Sequence, residues 1–285
     1  MHPLLKWALV AAAVSVGLAV LVPALIWLES EAAIERRFPL PSTTATASKE
    51  IAAIARGRHL IAIAGCADCH GADLEGRLLA PHSVLPVWSS NLTLLAHTMT
   101  DEEFERAIRT GITPDSTSTW IMPAMDYAYM SEDDVVAIIS YLRTLPARGT
   151  QRPDPEFDLR ARFALLRGDL AAIAARALES PSSLDLGPRF DGGRYLARIA
   201  CSDCHDTDLT GSATAPDLSI VTRYSRSDFF ALMRGGRAPD GQRPSTMARE
   251  SASRFRALRD YEIDALYDYL SARAKVLVHR PGTGR

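Results

Sequence analysis

The sequence predicts an all-α chain: an N-terminal transmembrane helix followed by two helical domains built on one repeated pattern. Three observations carry this. A run of 22 residues without a charge, Trp7 to Leu28, stands near the N-terminus. A Cys-x-x-Cys-His pentapeptide occurs twice, as Cys66–His70 and Cys201–His205, and uses all 4 cysteines. The residues around the two pentapeptides repeat as well, with apolar side chains at helical spacing and no alternating, strand-like stretch to compete with them. At 285 residues the chain has room for an anchor and two domains of about 100 residues each. Its net charge of −2, from 32 basic and 34 acidic side chains, excludes the strong basic bias of a nucleic-acid partner.

Taken in order, residues 1–30 read as the anchor, because 22 apolar residues are about what a helix needs to cross the hydrocarbon core. Lys6 and the α-amino group precede the run, and Glu29, Glu31 and Glu35 follow it. The positive-inside rule then leaves Met1 in the cytoplasm and the rest of the chain outside. A cleaved signal would have a shorter apolar region and small residues at its end. Trp27-Leu28-Glu29-Ser30-Glu31 suits cleavage badly, and Pro23 is tolerated inside a membrane helix. Residues 31–48, with prolines and a Ser/Thr-rich run, read as a flexible tether.

Residues 49–147 and 190–274 are the two copies. Gly57-Arg58-His59-Leu60 answers Gly193-Arg194-Tyr195-Leu196, and Ala72-Asp73-Leu74-Glu75-Gly76 answers Thr207-Asp208-Leu209-Thr210-Gly211. Phe104–Gly111 answers Phe229–Gly236, and Asp134 to Leu142 answers Glu262 to Leu270. Thr100 with Glu103 predicts a capping box, with Gly111 as the stop, and Ser225 with Asp228 opens the equivalent helix. The last helix of copy one starts at Ser131, carries Val135, Ile138, Ile139 and Leu142, and stops before Pro146. Its counterpart carries Ile263, Leu266, Tyr267 and Leu270. Between the copies, residues 148–189 hold Pro153, Pro155, Pro181 and Pro188 around a helical stretch near Leu165–Leu178, which predicts a linker wrapped over a domain surface. Residues 275–285 form a tail, expected to be disordered from Arg280.

The pentapeptide is the attachment pattern for c-type haem: the two thiols become thioethers and the adjacent histidine ligates the iron. Cys66, Cys69, Cys201 and Cys204 would then hold two haem c groups, with His70 and His205 as iron ligands. A zinc or thiol-redox use of the Cys-x-x-Cys pairs is the alternative without haem. Attachment through thioethers belongs outside the bacterial inner membrane, in the periplasm, which agrees with the topology.

The sixth ligand decides between electron transfer and catalysis. Arg109 to Met122 is 13 residues and Arg234 to Met247 is also 13, whereas His70 to Arg109 is 39 and His205 to Arg234 is 29. A fixed spacing beside a variable loop singles out Met122 and Met247. Met125 competes for haem one, and His82 and His97 are further candidates there. Met233 and Met130 read as packing, the commoner fate of a buried methionine, and His59, aligned with Tyr195, as structural. Each proximal histidine should donate its other ring nitrogen to a carbonyl. Pro81 and Pro216, both 11 residues after the histidine, are the candidates.

These residues resemble class I cytochrome c domains, most of all the multihaem cytochrome subunits of periplasmic alcohol, aldehyde and gluconate dehydrogenase complexes. The resemblance rests on Cys66–His70 with Gly71-Ala72-Asp73-Leu74, on Asn91-Leu92-Thr93, on Ile108-Arg109-Thr110-Gly111, and on Met122-Pro123 with Tyr127, continuing to Tyr141-Leu142. In copy two it rests on Cys201–His205, Ala215-Pro216-Asp217-Leu218, Met247-Ala248-Arg249 and Arg254-Phe255. It implies two cytochrome c-like domains after the transmembrane helix, and supports Met122 over Met125. Those subunits usually carry three haems, and this chain has motifs for two. The function it implies is single-electron transfer, not catalysis, between a periplasmic dehydrogenase or quinol-linked donor and an oxidase or soluble cytochrome. A dihaem peroxidase or a haem-based sensor would need one open iron, which methionine candidates in both copies argue against.

Overall fold

A computed structural model describes residues 3–79, 85–178, 183–239, 241 and 245–278. Pro81, His82, Pro181 and the tail from residue 279 lie outside the described residues. The chain is all-α, as the apolar spacing requires. Helix α1 (Pro3–Ile34) continues through Pro23, and its most apolar 18-residue window is wholly unburied. It is long and apolar enough to cross a membrane.

Copy one comprises α2 (Ile51–Ile63), α3 (Cys66–His70), α4 (Leu92–Thr98), α5 (Asp101–Thr110), α6 (Ala124–Tyr127) and α7 (Glu132–Leu142). The linker carries α8 (Leu159–Arg167) and α9 (Ile173–Leu178). Copy two comprises α10 (Asp191–His205), α11 (Arg226–Gly235), α12 (Ser245–Ser253) and α13 (Asp260–Val278). The capping boxes form where the sequence puts them. Thr100 Oγ1 accepts from Glu103 N and the Glu103 carboxylate from Thr100 N, and Ser225 and Asp228 do the same. Gly111 and Gly236 close α5 and α11.

In each copy the first helix crosses the last at a glycine. A Cβ on Gly57 would lie 1.9 Å from the Ala137 carbonyl oxygen, and one on Gly193 would lie 2.1 Å from that of Ala265. Only glycine lets the backbones approach so closely. The two copies then share one continuous apolar core, which runs from Leu60, Ile63, Ile138 and Ile139 to Leu196, Ile263, Leu266 and Tyr269.

Four features differ from the sequence reading. The expected flexible tether is strapped onto copy one: Thr44 N and Ala45 N donate to Glu105, Ala47 N to Asp101 and Ser48 N to Ser140, with Phe38 and Ala45 buried. Backbone donors without a ladder found side-chain acceptors on α5 and α7, which composition alone does not reveal. The linker's one helical stretch is two helices, because Gly168 in the left-handed conformation ends α8. The tail's first residues continue α13 as far as Val278. The loop after the first pentapeptide contains a minimal hairpin, β1 (Leu78–Leu79) against β2 (Val87–Trp88), too short to show an alternating pattern.

Candidate haem sites

The two pentapeptides enter different helical settings. In copy two the motif continues α10 without a break; in copy one Gly65, at φ +76°, separates α2 from α3. The reason is one extra residue: Gly57 to Cys66 is 9 positions, Gly193 to Cys201 is 8. A left-handed glycine absorbs it at little cost.

Both motifs nevertheless end in the same hydrogen bond. His70 Nδ1 donates to Ser90 O at 2.8 Å, and His205 Nδ1 to Pro216 O at 2.7 Å. A carbonyl can only accept, so the proton sits on Nδ1 and the Nε2 lone pair is left for a metal. Burial lowers the pKa of both rings, which keeps the imidazoles neutral. Pro216 is the carbonyl expected from the sequence. For His70 the acceptor is Ser90 and not Pro81, because the hairpin inserts 9 residues: 90 − 70 is 20, 216 − 205 is 11. The insert folds back onto the motif, with Ser89 Oγ donating to Cys69 O at 2.6 Å. Around the bond the copies coincide. Gly76 N donates to His70 O and Gly211 N to His205 O; Leu92 N donates to Leu74 O and Leu218 N to Leu209 O. Asn91 and Asp217 cap the segments that follow.

The four cysteines are half-buried. Burial pushes the Cys66 and Cys201 thiols up to about 12, and also raises Cys69 and Cys204. None has the lowered pKa of a thiol activated for exchange. A donor set of two thiols and one neutral imidazole against an apolar wall fits haem c.

The methionines separate by their packing. Met122 and Met247 pack against the core that also receives Cys66 and Cys201. Met125 belongs to another cluster, with Ala124, Ile173 and Ala177 of the linker side. Arg198 Nη2 fixes its carbonyl at 2.7 Å. Met247 lies in the first turn of α12. Met130 and Met233 are core, as read. His97 Nε2 donates to Leu145 O at 2.9 Å.

Sequence reasoning missed the contact between the copies. His59 of α2 bonds Glu262 of α13 at 2.9 Å, and Tyr195 of α10 donates to Asp134 of α7 at 2.5 Å. These are the same two repeat positions, exchanged. Arg254, with 6% of its side chain exposed, donates to Ile63 O at 3.3 Å and Ala200 O at 3.2 Å. One guanidinium therefore bonds to the backbone just ahead of both pentapeptides. Its ion partners Asp68 and Glu250 stand at 3.6 Å. A Cβ on Gly65 would meet its Cζ at 2.6 Å, so the extra glycine also makes room for this side chain. Tyr127 OH donates to Ala64 O at 2.9 Å. The nearby Asp126 is buried, and burial, with Asp203 adding, pushes its carboxyl up to about 7.

Comparison with known proteins agrees. Residues 54–146 match the cytochrome c family model. The chain is 29% identical over 273 residues to the fructose dehydrogenase cytochrome subunit of Gluconobacter japonicus, an alignment covering 81% of this chain and 54% of that protein. The chain thus spans about half the length of the curated relative it matches. Such a domain implies covalently bound haem c. Residues 54–146 are a cytochrome c domain, in a chain that resembles a dehydrogenase cytochrome subunit along most of its length.

Proposed function

We propose that the chain is a membrane-anchored, two-haem electron-transfer protein of the periplasmic face. Cys66, Cys69 and His70 with Met122 would hold one haem c, and Cys201, Cys204 and His205 with Met247 the other. The observation that carries the reading is the shared Nδ1–carbonyl bond of His70 and His205, reached through loops of different length. When bound, haem c supplies one-electron redox chemistry at its iron. The chain's residues do the rest. The carbonyls of Ser90 and Pro216 hold the imidazole proton and aim Nε2. The cysteines would tie the group to α3 and α10, and Met122 and Met247 would each supply a thioether to an iron. The shared core and the buried Arg254 join the two copies.

The relative's name supports a dehydrogenase as electron donor. A quinol-linked donor is the alternative, and an oxidase or soluble cytochrome would accept. Lys6 before the charge-free run and Glu29, Glu31 and Glu35 after it support a cytoplasmic N-terminus. The test is an absorption spectrum with a haemochrome count on purified protein. Two haems per chain, with the near-infrared-edge band of methionine–iron ligation weakened in both Met122→Ala and Met247→Ala but unchanged in Met125→Ala, is the expected result. One haem per chain, or a high-spin spectrum that binds carbon monoxide readily, would overturn it in favour of a peroxidase or sensor.

A further inference from the structure

Helix α8 has two unlike faces. Ala161 and Ala164 are buried, Ala161 in a cluster with Leu85, Val87 and Trp120. Leu159, Phe163 and Leu166, at intervals of 4 and 3, form one stripe. Nothing in the described chain covers it: they are 44%, 49% and 44% exposed. Arg160 and Arg167 flank the stripe, and the Arg167 guanidinium stands 5.8 Å from the Phe163 ring centre.

The position of this helix is fixed by Arg162. Its buried guanidinium donates to Ser30 Oγ at 2.8 Å and Glu31 at 2.6 Å, and lies 3.6 Å from the Trp27 ring centre. Trp27, Ser30 and Glu31 mark where the charge-free run ends at Leu28, the level at which tryptophan and charged groups meet the headgroups. The apolar stripe thus lies on a helix tied by Arg162 to the end of the charge-free run of α1. A short helix with large apolar residues on one face and arginines beside them is the composition of a helix lying in a membrane interface.

We propose that α8 is such an interfacial helix, with Leu159, Phe163 and Leu166 seated among the acyl-chain ends and Arg160 and Arg167 among the headgroups of an anionic phospholipid surface. Together with the strapped segment 36–48, it holds the haem domains at a fixed attitude to the membrane instead of letting them swing. The proposal rests on the reading of α1 as an anchor.

The test uses full-length holoprotein in vesicles of phosphatidylcholine and phosphatidylglycerol doped with a phospholipid carrying a diazirine in its acyl chain. After irradiation, labelled peptides are mapped by mass spectrometry. Label on both α1 and residues 159–167 is expected. The variant L159S/F163S/L166S should lose the second label while keeping the first and its haem content. Label on α1 alone overturns the proposal and leaves the stripe to a protein partner. Equal labelling of 159–167 in the variant also overturns it. Label on neither overturns the anchor reading itself.

Discussion

Replacing Arg254 by methionine should loosen both copies at once. The guanidinium bonds to Ile63 O and Ala200 O are long, at 3.3 and 3.2 Å, so each stands near the bottom of the ~1.5–3 kcal/mol range for bonds to a charged group. Removing one partner from a buried ion pair costs ~3–5 kcal/mol when the other stays buried. Here the side chains of Asp68 and Glu250 are 38% and 17% exposed, so water recovers part of that cost. Methionine also keeps much of the packing. The net expectation is a loss of ~2–3 kcal/mol, read as a lower urea midpoint of the full-length holoprotein by far-ultraviolet circular dichroism. Arg254→Lys keeps the charge, but a single ammonium cannot replace Nη2 at the two carbonyls together with Nε beside Asp68 and Nη1 beside Glu250, so it should fall between. A double-mutant cycle with Asp68→Asn isolates the ion pair. If Arg254→Met unfolds within ~0.5 kcal/mol of the parent, the size of an ordinary surface change, the guanidinium is hydrated and does not join the copies.

The remaining predictions are shorter. Gly57→Ala and Gly193→Ala each force a methyl into a carbonyl at 1.9 and 2.1 Å; thermal melts should show losses at or above the top of the ~1–3 kcal/mol overpacking range. Asp126 has its folded pKa raised from 3.8 to about 7, so the folded state binds the extra proton and stability falls as pH rises between those values. Asp126→Asn should remove that penalty, gaining on the parent with pH and levelling off above about 7; a gain independent of pH would contradict it. Asp134 and Glu262 go the other way. Burial raises both, but bonds from Arg56 and Tyr195, and from His59 and Arg259 N, outweigh it and hold them below 3.8 and 4.5. Their contribution is present above those values and lost as pH falls through the depressed folded ones. Protection factors for hydrogen exchange at the α2–α13 and α10–α7 contacts, each taken against the intrinsic rate at the same pH, should therefore fall below pH about 4 and stay high at neutral pH.

Much of this was legible because it is local. Helix caps depend on residues three apart, and Thr100/Glu103 and Ser225/Asp228 form as written. The glycines that let first and last helices cross are visible as a repeated position. The acceptor for His205 was legible because its loop is short; that for His70 was not, since spacing cannot tell which part of a longer loop is inserted. The strap over residues 36–48 was hidden because its bonds run to side chains about 50 to 90 positions away, and composition reports only that such a segment makes no helix of its own. The exchange of His59–Glu262 and Tyr195–Asp134 was half-visible. The repeat aligned His59 with Tyr195 and Asp134 with Glu262, but alignment says which residues correspond, not which ones touch.

That exchange bears on why the two copies are not independent beads. Contacts made twice by equivalent positions are the signature of a two-fold arrangement, in which each improvement at one position is used at both ends. Here duplication left the geometry while the residues diverged, histidine with glutamate at one end and tyrosine with aspartate at the other. The same division runs through the sites. The Nδ1–carbonyl bond and the backbone bonds around it coincide in both copies, whereas the hairpin, the Gly65 break and the length of α12 differ. Features that touch the imidazoles of His70 and His205 are held constant, and features that differ lie outside them: the hairpin in an inserted loop, Gly65 under Arg254 at the seam. Two copies that packed independently would have no reason to share an arginine that bonds to the backbone ahead of both motifs. The geometry instead makes the seam a part of each site, so that what perturbs Arg254 reaches both.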